Sequence, residues 1–152
     1  MGTSDKTERM IRELHDRALI QDLVMRYGRA VDRQDIEAVA ACFAPDAKYD
    51  GSIGDGTIAT MLEALREIMP RYERTMHLLG IQVIEVSGNT ARCETYGIVH
   101  HRLRQPSEPR DLVVGVCYLD ELACLDRGWV ITKRTARVDW QRRDSKPAPL
   151  ES

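Results

Sequence analysis

The sequence predicts an α+β domain in which a curved antiparallel sheet packs on three helices and encloses a pocket, the whole shaped as a cone. Two observations carry this. Apolar residues in the first half recur at helical spacing, and from Arg74 onward they alternate as in strands. Helices first and strands afterwards argue against an alternating βαβ sheet. A third observation is size, since 152 residues suit one domain.

The first helix is expected to start near Asp5, whose spacing to Glu8 resembles a capping box. Ile20, Val24, Tyr27 and Val31 form its buried stripe, and it should end at Asp32-Arg33-Gln34. A short helix over residues 36–43 follows, closed by Pro45-Asp46. Residues 47–50 can form a short strand, and Gly51, Gly54 and Gly56 a flexible loop. Thr57 is the expected N-cap of a third helix with Ile58, Met61, Leu62, Leu65 and Ile68 on one face and Pro70 at its end. In the first long strand, His77, Leu79, Ile81 and Val83 share an apolar parity that should point inward. Ser87-Gly88-Asn89 turns into a strand over residues 90–104. After a loop at 105–110 comes 112–124, apolar on both faces as a central strand is. Asp126-Arg127-Gly128 turns into the last strand, 129–140. The domain is therefore 1–140, and the polar tail 141–152 is flexible or docked on a neighbour. Three helices against so long a sheet require it to curl, which leaves a cavity at its wide end.

Composition excludes several functions. A formal net charge of -2 offers no basic surface for phosphate backbones, so no nucleic-acid partner is expected. No apolar run is long enough to span a bilayer, so no membrane partner is expected either. The charged start lacks the apolar stretch of a secretory signal, and a cytoplasmic location is expected. Cys42, Cys93, Cys117 and Cys124 contain no C-x-x-C spacing and read as reduced, buried thiols.

The candidate chemistry centres on His77. An inward imidazole can be a core histidine satisfied by a backbone carbonyl, or a general base, since its ordinary pKa of about 6.5 suits proton transfer near neutral pH. Asp32 ends a helix, where a carboxylate faces the negative end of the macrodipole and needs compensation. A histidine donating Nδ1–H to it would supply this, and the carboxylate would fix the tautomer in return. Tyr27, five residues earlier, lies about 140° round the helix from Asp32, and packs in the core or presents its hydroxyl at a pocket rim. Of the adjacent His100 and His101, parity with Cys93, Thr95, Gly97 and Val99 places His101 inside and His100 outside. No ligand spacing supports a metal site at His77, His101 and Asp32, and no phosphate loop or nucleophile elbow is present, so neither metal nor cofactor is expected. Arg134, Arg137, Arg142 and Arg143 read as surface charge, with pocket access left open for Arg137, whose parity is ambiguous.

The stretch from Leu19-Ile20-Gln21-Asp22-Leu23 through Tyr27-Gly28-Arg29-Ala30-Val31-Asp32, with Phe43-Ala44-Pro45-Asp46-Ala47, resembles the SnoaL-like branch of the nuclear transport factor 2-like superfamily. Thr75-Met76-His77-Leu78-Leu79-Gly80, Ile84-Glu85-Val86 and Gly128-Trp129-Val130-Ile131 extend the resemblance over nearly the whole chain before the tail. It implies a cone-shaped fold and points to three enzyme groups: scytalone dehydratase, bile acid 7α-dehydratase and hexachlorocyclohexane dehydrochlorinase. All eliminate a small leaving group using a His–Asp pair. By this resemblance Asp32 and His77 are the catalytic pair, and Tyr27 and His101 bind substrate. Tyr49 is a loose match to the second pocket tyrosine of scytalone dehydratase. The lysine and arginine beside the pair in the dehydrochlorinase have no clear match.

The resulting expectation is a cofactor-independent lyase or isomerase acting on a small hydrophobic cyclic molecule. A non-catalytic small-molecule-binding or assembly module of the same fold is the alternative, and a small oxygenase subunit a further one. Self-association through the outer sheet face, as a homodimer or homotrimer, is expected in each case.

Overall fold

The structure, a computed structural model, describes residues 3–104 and 111–144. Helix α1 (Thr3–Asp32) leads into α2 (Ile36–Ala40), strands β1 (Phe43–Gly51) and β2 (Gly54–Thr57), and helix α3 (Ile58–Ile68), which ends in a 3₁₀ turn (Met69–Arg71). Four long strands follow: β3 (Tyr72–Ser87), β4 (Thr90–Leu103), β5 (Asp111–Leu125) and β6 (Gly128–Asp144). They form one open, curved sheet in the order β2-β1-β6-β5-β4-β3. The α+β class with three helices against a curved sheet is therefore the architecture found. The long strands pair antiparallel, but β1 joins β6 in parallel, so the sheet is mixed. No described helix is long and apolar enough to cross a membrane.

The stripe expected on α1 is buried. Ile20 and Val24 are fully enclosed, and Tyr27 and Val31 nearly so. This face of α1 packs on the concave side of the sheet, chiefly against β3. A tight turn ends the helix: Gln34 N–H donates to Val31 O at 2.9 Å and Asp35 N–H to Ala30 O at 3.0 Å. Such a closure needs a left-handed residue, and Gln34 takes φ 57 although it carries a side chain. Asp35 then caps α2 by accepting from Ala38 N–H at 2.9 Å. The two short bonds fix Asp32 as the last residue of α1. Thr57 caps α3 through a reciprocal bond with Thr60, as its sequence context suggests.

Several local expectations are overturned. Helix α2 stops at Ala40, and Phe43-Ala44-Pro45-Asp46 opens β1. Pro45 is tolerated there because the β1–β6 register is broken between Phe43 and Lys48, where no ladder donor is required. The glycine-rich loop is a hairpin, with Gly51 opposite Gly54 and Asp50 opposite Asp55. In β3 a bulge between Leu79 and Gln82 reverses the alternation. His77 and Leu79 face inward, but Ile81 and Val83 are 70% and 52% exposed on the outer face, and Ile84 replaces them inside. β6 continues past Trp140 to Asp144. The loop at 105–110 and the tail beyond 144 lie outside the described residues.

Candidate active site

The carboxylate at the end of α1 meets β3 at three points. Asp32 Oδ1 lies 2.7 Å from His77 Nδ1 and accepts from the Thr75 hydroxyl at 3.0 Å. Oδ2 accepts from the His77 backbone N–H at 2.9 Å. Thr75 and His77 share one face of β3, so both reach the helix end from the same strand. An ionised carboxylate only accepts, so His77 Nδ1 must carry the proton of that short bond. The other nitrogen, Nε2, makes no hydrogen bond to a described residue. Burial pushes the Asp32 carboxyl up, yet the His77 ring, its backbone N–H and the Thr75 hydroxyl outweigh it and hold the carboxyl below its ordinary range. These donors compensate the unfavourable macrodipole position. The His77 side chain is 6% exposed and that of Asp32 24%.

His77 opens onto a cavity of about 270 Å³ bounded by α1, α3 and the concave sheet. Its walls are mostly aliphatic, from Val31, Leu65, Ile68, Val99, Val114 and Val116. Gln34, Ser52, Thr75 and Gln141 add polar groups to this lining, beside the rings. Tyr27, Tyr49 and Tyr118 line one part, and His101 with Tyr72 stands beside His77. The Tyr27 and His77 ring centroids lie 6.4 Å apart at 81°, and those of His77 and His101 6.4 Å apart at 74°. Tyr72 covers His101 at 4.7 Å. His101 Nδ1 is buried without a hydrogen-bond partner among the described residues. Burial, reinforced by the neighbouring His77, pushes the His101 pKa down to about 4, so this imidazole is neutral at pH 7. Asp32 does not itself line the cavity but stands behind His77. The four residues singled out from sequence thus occupy one locus: Asp32 touches His77, and Tyr27 and His101 flank the ring. His100 points outward, 3.5 Å from Asp111.

Arg134 departs from its expected surface position. It is fully buried, not surface charge, and pairs with the equally buried Asp120 through two bonds of 2.7 Å. Its guanidinium carbon lies 4.0 Å from the Tyr27 ring centroid and 4.4 Å from that of Tyr118. The cation therefore lies against two pocket tyrosines, a contact that stabilises a desolvated guanidinium. Burial opposes its charge, but the Asp120 carboxylate more than offsets this and raises the Arg134 pKa. Burial raises the Tyr27 pKa, against the lowering effect of Arg134. Asp120, a carboxylate on the same strand parity as Tyr118 and Leu122, was the available signal for a buried cation nearby. Arg137, by contrast, is half exposed and pairs with Asp139. Among the described residues no group of three or more His, Cys, Asp or Glu could hold a metal ion.

An open curved sheet on three helices, with an apolar pocket beneath the helix ends, defines the nuclear transport factor 2-like class of domain. The chain belongs to the SnoaL-like domain family, whose match spans residues 12–135. The uncharacterized protein Rv2910c of Mycobacterium tuberculosis is 25% identical over 142 residues, covering 91% of this chain and 95% of that one. Among solved structures, a protein of Novosphingobium aromaticivorans provisionally named an aromatic ring hydroxylase is 28% identical, with a TM-score of 0.78, covering 86% and 94% of the two chains. A hexachlorocyclohexane dehydrochlorinase of Novosphingobium barchaimii is 20% identical, with a TM-score of 0.78 and coverage of 93% and 99%. A second Novosphingobium aromaticivorans protein, provisionally named a scytalone dehydratase, is also 20% identical, with a TM-score of 0.77 and coverage of 96% and 99%. The two at 20% identity show the shared fold.

Proposed function

We propose that this protein is a cofactor-independent lyase of the dehydratase type, or an isomerase, acting on a small uncharged cyclic molecule. The observation that carries the reading is the state of His77. Asp32 holds its Nδ1, and its Nε2, beside an apolar cavity, has no hydrogen-bond partner among the described residues. That is the arrangement of a general base with a fixed tautomer. Nε2 takes a proton from carbon, and Asp32 stabilises the imidazolium that forms. In an elimination, the C–H electron pair becomes the new double bond and the leaving group departs with its own pair. Tyr27 or His101 hydrogen-bonds the carbonyl or the departing oxygen. The names of the dehydrochlorinase and of the provisional dehydratase, both eliminations, agree with this chemistry. A cavity of about 270 Å³ is small beside the roughly 300–1,000 Å³ of drug-sized sites, which favours a compact substrate of one or two rings.

The test is turnover on a panel of one- and two-ring β-hydroxy ketones and a chlorinated cyclohexane. Replacing His77 by Ala should reduce the rate by about 10²–10⁴-fold, the usual contribution of a general base, with an unchanged circular dichroism spectrum. A His77→Ala protein that turns over at the wild-type rate overturns the assignment. Ligand binding without turnover by the wild type points instead to a binding module.

Self-association belongs to the same proposal. Leu78 opposes Ile98 on the outer face, and the row continues over Gly115 to Trp140. Leu78 is 67% exposed, Ile98 44% and Trp140 45%. An apolar row spanning four strands is the surface a second copy would cover.

A further inference from the structure

Leu79 follows His77 by two residues on the same face of β3, and its two methyl groups each end against a glycine. A Cβ on Gly28 of α1 would lie 3.0 Å from Leu79 Cδ1 and 3.4 Å from His77 Cβ. A Cβ on Gly97, the cross-strand partner of Leu79, would lie 2.7 Å from Leu79 Cδ2, 3.3 Å from Leu78 O and 3.4 Å from Val116 Cγ2. Neither glycine has a positive φ. Their backbones therefore do not require glycine; the space does. At Gly28 the choice opposes local propensity, because glycine within a helix costs about 1 kcal/mol relative to alanine.

Gly28 lies four residues before Asp32, on the same side of α1. The Gly28–Leu79 contact and the Asp32–His77 bond are thus adjacent rungs of one helix–strand seam. A methyl on Gly28 would meet one Leu79 methyl, and a methyl on Gly97 would meet the other from the opposite side. We infer that Gly28, Leu79 and Gly97 form a spacer that sets the distance from α1 to β3 and hence the length of the Asp32–His77 hydrogen bond. All three are positioning residues. Carbon atoms at rest lie about 3.5–4.0 Å apart, so a Cβ at 3.0 Å asks for a separation of roughly half an ångström. That is enough to take a 2.7 Å contact to the long end of the N–H···O range, about 3.2 Å. The consequence for rate rests on the catalytic reading above. The consequence for geometry does not.

The test needs no substrate. In protein labelled with ¹⁵N-histidine, the Nδ1–H proton of His77 is read by NMR and assigned by its absence in His77→Gln. The wild type should show a downfield resonance protected from exchange. Gly28→Ala should shift it upfield or lose it to exchange, with the fold intact by circular dichroism. Gly97→Ala, acting on the other methyl, should do the same. Leu79→Val should keep the resonance, and Gly28→Ala/Leu79→Val should restore it. If Gly28→Ala fails to fold, a folded double variant that shows the resonance supports the spacer equally well. An unchanged resonance in folded Gly28→Ala, or a double variant that neither folds nor recovers the signal, overturns it. Once a substrate is known, Gly28→Ala should lower kcat about tenfold at constant KM, since a misplacement of 1 Å can cost about 10²-fold. If the wild type has no activity but the resonance behaves as stated, the function fails and the spacer stands.

Discussion

Acid is the perturbation to which His101 should respond most. Its imidazole lines the pocket with a buried Nδ1 that has no partner among the described residues, and its pKa falls from 6.5 to about 4 as burial and the adjacent His77 disfavour a second cation. In the unfolded chain the ring regains water and titrates near 6.5. Between these values the unfolded state binds more protons, so stability decreases as pH falls through the window. A gap of about 2.5 pH units, at 1.36 kcal/mol for each, corresponds to roughly 3 kcal/mol once the window is crossed. About 2 kcal/mol of this is gone by pH 5. The assay is urea unfolding at pH 7 and pH 5, followed by tryptophan fluorescence at fixed protein concentration. His101→Phe keeps a ring of similar size but has no proton to gain. Wild type should therefore lose about 2 kcal/mol more than His101→Phe between the two pH values, which is roughly 1 M in urea midpoint at a typical slope. Asp32 does not confuse the comparison. Its carboxyl is held below the ordinary value, so its contribution is present above about pH 4 and is lost only as pH falls through the lower folded value. Parallel losses in the two proteins would refute the claim that the His101 imidazole is shielded from water and neutral. The same neutrality matters for the chemistry, because a cationic His101 would oppose the imidazolium that a His77 base must form.

Two further outcomes follow from burial and exposure. Arg134→Met leaves the Asp120 carboxylate enclosed without its cation, which typically costs about 3–5 kcal/mol. Arg134→Met/Asp120→Leu should recover much of that loss in a thermal melt, and an Arg134→Met protein as stable as wild type would contradict the enclosed pair. On the outer face, Leu78→Glu places a charge in the Leu78–Ile98–Trp140 row. Light scattering should show a smaller species than wild type, and an unchanged mass would remove this face as the contact between copies.

The parts of the fold readable from sequence are those in which one residue determines its own local geometry. Thr57 capped α3 because its hydroxyl serves the helix it precedes. The buried stripe of α1 followed from an uninterrupted period of 3.6. Parity also placed His101 inward, because β4 alternates without a break from Ala91 to Val99. Asp32 and His77 could be named as candidates for separate reasons, one a misplaced charge and the other an inward imidazole. Their contact is a property of the α1–β3 seam, and no local pattern encodes it.

Strand registers failed for one physical reason, and it also explains the pocket. The β5–β6 hairpin begins with Leu125 opposite Gly128 and Leu122 opposite Ile131. Continued without interruption, that register would set Asp120 opposite Lys133. One extra residue, Thr132, is accommodated before Glu121 meets Lys133, and Asp120 meets Arg134 instead. A one-residue slip exchanges the faces of everything beyond it, so Arg134 turns into the core and Lys133 away from it. The bulge after Leu79 does the same to Ile81 and Val83, and another separates Gly115 from Val116. Bulges bend and twist the strand that holds them. A sheet without them would be too flat to wrap three helices and leave a cavity between. The irregularities that defeat an alternation rule are therefore the ones that curve this sheet around His77. In an enclosing sheet of this kind, a carboxylate on an inward parity, as Asp120 is beside Tyr118 and Leu122, marks a buried cation on the neighbouring strand.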